Sequence, residues 1–176
     1  MNIRQKKTRA LTLSAILSAL GVVIMYLGSI ITVLDLTMMA IASMVVTFAV
    51  LYLDRGWAAL IYAVTAVLSL LILPDKFIAV LYLVFGGVYP MLKALFERTG
   101  RLLGWVLKLA YFNIVLLALI FSARYLLFMA DAGISLSAFV ILGGNAVFIV
   151  YDIALSRLIT LYLLRARGGR RGNFRK

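Results

Sequence analysis

The chain has 176 residues, 65% hydrophobic and only 14% charged, a balance that excludes an ordinary soluble domain and indicates an all-α integral membrane protein. A formal net charge of +12 would suit a nucleic-acid binder in a soluble protein, but more than half of the 18 basic residues lie at the two ends, so no nucleic-acid partner is expected. Cysteine and histidine are both missing, which excludes disulfides, thiolate and imidazole metal sites and the commonest general base, and no metal or cofactor is expected.

A basic arm with Arg4, Lys6, Lys7 and Arg9 leads into a first apolar run from Thr8 to Ile31. That run has the length of a spanning helix, too long for the core of a signal peptide, and shows no convincing cleavage site. Along it Ser14, Ala15, Ser18 and Ala19 form two adjacent i, i+4 rows of small side chains, a smooth stripe suited to close helix contact in lipid. Further spans are predicted at Leu36 to Leu53, Trp57 to Leu73, Phe77 to Leu95, Leu102 to Ala130 and Ser135 to Leu164. The breaks between them are short and polar: Asp35, Asp54-Arg55-Gly56, Pro74-Asp75-Lys76, Glu97 to Arg101 and Asp131-Ala132-Gly133. A membrane domain is therefore expected over residues 1–164 and a basic cytoplasmic tail over residues 165–176.

An even number of spans puts both termini on one side, and the positive-inside rule assigns that side to the cytoplasm. Arg55, Arg98 and Arg101, with Lys93 and Lys108 at adjoining helix ends, fall on the same side, whereas Asp35, Asp75 and Asp131 face Lys76 alone on the other. The expected architecture is a six-transmembrane-helix bundle with both termini cytoplasmic. Spans five and six exceed the required length and should tilt, bend or project.

Counting a rise of about 1.5 Å per residue from the outer helix ends sorts the intramembrane polar residues into two layers. Lys93, Asn113 and Asp152 fall roughly 24 Å down by that rise, where Lys93 and Asp152 can pair and, with Glu97 and Arg157, tie the last three helices into a structural polar network. Arg124 falls about 7 Å down, and Gly86, Gly87 and Asn145 about 14 Å. Gly143-Gly144-Asn145 matches Gly86-Gly87 in depth, and Pro90 removes a helical hydrogen bond nearby, so irregular backbone is expected in both spans four and six. Such backbone is tolerated where it is buried or lines a cavity. A substrate pocket open to the outside is therefore expected among spans four to six, with Tyr82, Tyr89, Tyr125 and Asn145 as hydrogen-bonding groups and Arg124 as a partner for a carboxylate or phosphate. The alternative is that the glycines only pack helices, the tyrosines sit at the membrane interface and Arg124 snorkels outward.

No GxxxxGK(S/T) loop, HExxH site or GxSxG elbow occurs, and the 6 acidic residues lie mostly in loops, so no enzyme activity is expected. Any transport would draw its energy from a partner. The basic arm followed by TRALTLSAILSAL resembles the start of the substrate-binding S components of energy-coupling factor (ECF) transporters, many of which carry an Ala-x-x-x-Ala motif on the first span. Here that motif is Ala15-Ile16-Leu17-Ser18-Ala19. The resemblance implies a vitamin-type small-molecule substrate captured from outside, a separate transmembrane coupling subunit docked on the Ser14, Ala15, Ser18 and Ala19 face, and two ATPase subunits that supply the power. No vitamin signature is matched, and the lack of histidine argues against the nickel and cobalt members. Two other readings are a structural multispan scaffold of the MreD-like cell-shape kind and a protein that interacts with membrane lipid through its basic tail.

Overall fold

A computed structural model describes residues 3–125 and 138–172. In chain order the elements are α1 (Ile3–Ile30), a 3-10 turn (Thr32–Leu34), α2 (Asp35–Tyr52), α3 (Arg55–Ile72), α4 (Lys76–Leu81), a π-helical turn (Tyr82–Gly86), α5 (Tyr89–Phe96), α6 (Arg101–Tyr125) and α7 (Ala138–Gly172). No strand occurs among the described residues. Among the described residues six helices are long and apolar enough to cross a membrane: Arg4–Ile30, Asp35–Tyr52, Arg55–Ile72, Lys76–Phe96, Leu102–Phe121 and Ile141–Leu164. The fourth combines α4, the π turn and α5. Asp131, Ala132 and Gly133, and the ends expected for spans five and six at Ala130 and Ser135, lie outside the described residues. The first part of the basic tail continues α7 as helix to Gly172.

The turns divide the bundle into a basic end, with Arg55 and Arg98, and an acidic end, with Asp35 and Asp75. Local chemistry closes the acidic turn between α3 and α4. The Asp75 carboxylate accepts from the Phe77 N–H at 2.8 Å, capping α4. The Lys76 ammonium donates to the Leu70 and Leu73 carbonyls at 2.8 and 2.7 Å, and so covers the last turn of α3. At the basic end Gly100 turns the chain into α6 with φ of +106°, a conformation that glycine adopts without a Cβ clash.

Helix α1 packs against α2 and α3 through Ser14, Ser18, Gly21, Met25 and Gly28, spaced alternately four and three residues apart. Small side chains there let the backbones approach, which is how helices gain contact in lipid without a hydrophobic drive between them. A Cβ on Gly21 would lie 3.1 Å from Thr65 Cγ2, and the Thr65 hydroxyl donates to the Ser18 carbonyl at 3.4 Å. Met25 is fully buried and its sulfur accepts from Ser69 at 3.6 Å. The two rows expected to form one stripe therefore face different ways: Ser14 and Ser18 are interior, whereas Ala15 and Ala19 are exposed on the outer surface of α1.

Span four is the most buried of the six and the least regular. The Gly87 N–H donates to the Tyr82 carbonyl at 2.9 Å, an i to i−5 bond, and Pro90 follows at the start of α5, where a missing N–H costs least. The carbonyls of Leu83 and Val84 accept instead from the hydroxyls of Tyr62 on α3, at 2.8 Å, and Tyr111 on α6, at 2.7 Å. Backbone groups that would be orphaned in lipid are thus satisfied by the neighbouring helices. The irregular backbone expected in span six is not found, because α7 runs unbroken through Gly143, Gly144 and Asn145. Gly143 has open space beside it, and Gly144 rests in ordinary contact with Phe112.

The two glycines of span four differ in what a methyl group would meet. At Gly86 the obstacle is chiefly the flexible end of Met39; at Gly87 it is the Tyr62 ring, held by its bond to Leu83. Gly87→Ala is expected to lower stability by about 1–3 kcal/mol through overpacking, and Gly86→Ala by less. Thermal unfolding of both variants in one detergent checks the order.

Candidate functional site

A cavity of about 600 Å³ lies toward the acidic end between α2, span four, α6 and α7. Its walls are hydrocarbon and rings, among them Met39, Phe77, Phe85, Phe112, Ile120 and Phe148. The lining residue with a hydroxyl is Tyr151, and that hydroxyl is paired with Ser43 on α2. No Asp, Glu, Lys or Arg is among the described lining residues.

The floor of the cavity is an aromatic cluster around Phe85, which the π turn projects between α6 and α7. Its ring lies 5.3 Å from Tyr89, 5.7 Å from Phe112, 5.9 Å from Phe148 and 5.6 Å from Tyr151, centroid to centroid. Phe112 and Phe148 stack at 4.6 Å with planes 12° apart. Offset and edge-on ring pairs of this kind are worth about 0.5–1.5 kcal/mol each beyond the area they bury, so the layer is cohesive.

Below the rings sits a cluster of four charges. Lys93 on α5 pairs with the Asp152 carboxylate on α7 and with Glu97 at 3.2 Å, and donates to the Ser156 hydroxyl at 2.8 Å. Lys108 on α6 bridges the second Asp152 oxygen and Glu97, each at 3.0 Å. Tyr89 donates its phenol proton to Asp152. Two lysines and two carboxylates balance, and Lys93, Asp152 and Lys108 are almost fully buried at 1%, 2% and 5% exposure. Charges so far from water persist only when paired and hydrogen-bonded, and each of these has at least two partners. A polar cleft lined by Glu97, Trp105, Lys108, Asp152, Ser156 and Arg157 reaches the cluster, and the Lys108 ammonium stands 5.4 Å from the Trp105 ring centroid.

The residues singled out from sequence fall into distinct places. Tyr89 links the ring layer to Asp152, and Tyr82 is fully buried beside Tyr62, with ring centroids 6.2 Å apart. Gly86 and Gly87 make the close approaches to Met39 and Tyr62. Asn145 is spent on Asn113: each side-chain amide donates to the other's oxygen at 3.1 Å, and each also donates to the carbonyl four residues back on its own helix. Asn113 and Asn145 therefore stand level with each other, and Asn113 is not in the charge cluster. Counting depth from helix ends separated them because it treats all helices as starting at one height. None of these residues lines the apolar cavity, although Gly144 beside Asn145 does. Arg124 and Tyr125 are the last positions of α6, with Arg124 one turn beyond the lining residue Ile120; their side chains lie outside the described residues. Arg157 borders the polar cleft.

Lys108 shows what sequence reading missed. Near the start of a span it looks like a topology signal, and only the antiparallel packing of α6 on α7 reveals that it is buried against Asp152. Tyr62, Tyr111 and the pair of Ser43 with Tyr151 were equally hidden, since a tyrosine in a span carries no mark of the carbonyl or hydroxyl it will reach.

Asp152→Asn leaves two buried lysines facing Glu97 alone and is expected to cost about 3–5 kcal/mol. Adding Lys93→Met restores neutrality and should recover a large part of that loss. Thermal midpoints in the order wild type, double variant, single variant are the expected result, and a single variant as stable as wild type would remove the cluster as a structural tie.

Compared with known proteins, the chain matches no family model, and no curated protein or solved structure shows significant similarity to it.

Proposed function

We propose that this chain is the substrate-capture subunit of a bacterial importer, an S component of the ECF type, with both termini in the cytoplasm and the acidic end facing outward. The observation that carries the reading is the cavity of about 600 Å³ toward the acidic end, within the size range of small-molecule sites and walled by four spans. Below it the bundle is closed by packed rings and paired charges, which suits a protein that holds a ligand and leaves its movement to a partner. In this reading a transmembrane coupling subunit docks on α1 and is driven by two ATPase subunits. The docking face is narrower than the small-residue stripe: Ala15 and Ala19 are exposed, whereas Ser14 and Ser18 are used inside the bundle. Net basic charge at the turns of one end supports the orientation.

The apolar lining also favours a second reading, a protein that holds membrane lipid in the same cavity. A cell-shape scaffold would need no such cavity.

Substitution separates the two faces of α1. Ala15→Trp and Ala19→Trp are expected to leave the thermal midpoint within a few degrees of wild type and to abolish copurification with a coupling subunit. Ser14→Trp should unfold the protein, because Ser14 is fully buried. Full recovery of the complex with both alanine variants would sink the docking claim. Single cysteines introduced into this cysteine-free chain at Arg4 and Asp75 test orientation: an impermeant maleimide should label the second and not the first in intact cells.

A further inference from the structure

Charge, shape and width together restrict what the cavity can hold. We infer that its ligand is an uncharged, ring-bearing hydrophobic molecule, recognised by the aromatic walls and selected against charge. The inference rests on the capture reading for its biological role, while the binding itself needs no partner.

The exclusion of charge comes first. An ion entering this space would lose its water and find no side chain of opposite sign among the described lining residues. Among the described residues, the charges beneath the ring layer are committed to one another: Asp152 to Lys93, Lys108 and Tyr89, and half-exposed Glu97 to both lysines. Asp35, whose carboxylate has one buried oxygen without a hydrogen-bond partner, precedes the lining residue Leu36 but is not itself part of the lining. Even the Tyr151 hydroxyl is engaged, with Ser43. Beyond the one O–H that the Ser43–Tyr151 pair keeps to spare, hydrogen bonds needed by the buried part of a ligand would go unmade, at the cost of its desolvation.

The preference for rings follows from width and wall chemistry. The lining runs from Phe112 to Ile120 on α6 and from Gly144 to Tyr151 on α7, a depth of about 12 Å at the helical rise. Spread over that depth, about 600 Å³ gives a cross-section on the order of 50 Å². A single hydrocarbon chain in contact with its neighbours at about 4 Å fills roughly a third of that, so one chain would rattle. Phe77, Phe85, Phe112, Phe148 and Tyr151 all present rings to the space, and stacked or edge-on partners are what such rings prefer. A planar body of two or more rings satisfies both conditions.

Benzophenone, itself neutral and two-ringed, serves as a photoreactive probe on the full chain in lipid nanodiscs. Saturable labelling is expected on cavity residues such as Met39, Leu116 and Val147. Competitors of matched shape then decide the class. 4-Methylbiphenyl should suppress the labelling at least tenfold, whereas its cationic counterpart N-methyl-4-phenylpyridinium and a linear alkane of equal carbon number should not. Gly144→Leu, which adds a side chain to the wall, should reduce labelling as it fills the space; the competition series on wild type stands even if this variant fails to fold. Equal competition by the cation would overturn the exclusion of charge. Competition by the alkane but not by the biphenyl would make the cavity a lipid slot, and no saturable labelling would remove the ligand class altogether. The underlying reading fails separately: specific ring binding by a protein that never copurifies with a coupling subunit keeps the ligand class and removes the importer, and a recovered complex whose cavity takes no neutral ring does the reverse.

Discussion

One constraint organises the middle of this bundle: a polar group placed in lipid must find its partner inside the protein. Span four meets the constraint where it is most severe. Its π turn releases backbone carbonyls at Leu83 and Val84, and tyrosines from α3 and α6 capture them. Those two hydrogen bonds fix where α3 and α6 stand relative to span four. They also explain why the least regular helix is the most buried: lipid contact on the turn would leave acceptors unpaired, so neighbours have to surround it.

The same turn sets the position of the candidate site. A regular helix through Tyr82 to Tyr89 would rotate Phe85 relative to Tyr89 by a different angle, because a π turn adds a residue without adding a full helical step. Here Phe85 reaches the cavity floor while Tyr89 reaches Asp152, and the two rings remain in contact at 5.3 Å. An apolar compartment and an ionic one are thereby separated by a single layer of rings. The separation matters energetically in both directions. Pairing of two lysines with two carboxylates limits the field that reaches the cavity, and the rings keep the ion cluster from facing an apolar space in which it would have no counter-dipoles.

Much of this was legible from the chain, and the illegible part has a physical cause. Spans, breaks and the irregular stretch around Gly86, Gly87 and Pro90 all leave local marks: length, polarity and residues with special backbone behaviour. Lys93 and Asp152 were conspicuous because a charge in a span demands explanation. Cavity walls leave no such mark. In a membrane protein a leucine facing lipid and a leucine facing a pocket have the same surroundings as far as composition can tell, so Leu116 or Val147 could not be distinguished from Leu117 or Val150. The α1 stripe failed for a different reason. Ser14, Ala15, Ser18 and Ala19 look like one surface when read alone, and only the continuation through Gly21 and Gly28 shows that the serine row belongs to a longer seam turned inward.

That seam and the ion cluster hold the two halves of the bundle by different means, and the difference constrains how it can move. Helices α1 to α3 touch through small side chains at close approach and few directional bonds. At the basic end span four, α6 and α7 are joined by Lys93, Lys108, Glu97 and Asp152, where a register shift of one residue would part at least one buried ion pair. Above the Tyr111 bond to Val84 and the Asn113–Asn145 pair, the same helices face the cavity with apolar side chains alone among the described residues. Any parting of α6 from span four therefore costs least at the acidic end, with the ion cluster acting as the fixed point. A ligand whose rings and methyl groups take the place of the neighbours that separate in such an opening offsets that cost, and one that brings a charge adds to it.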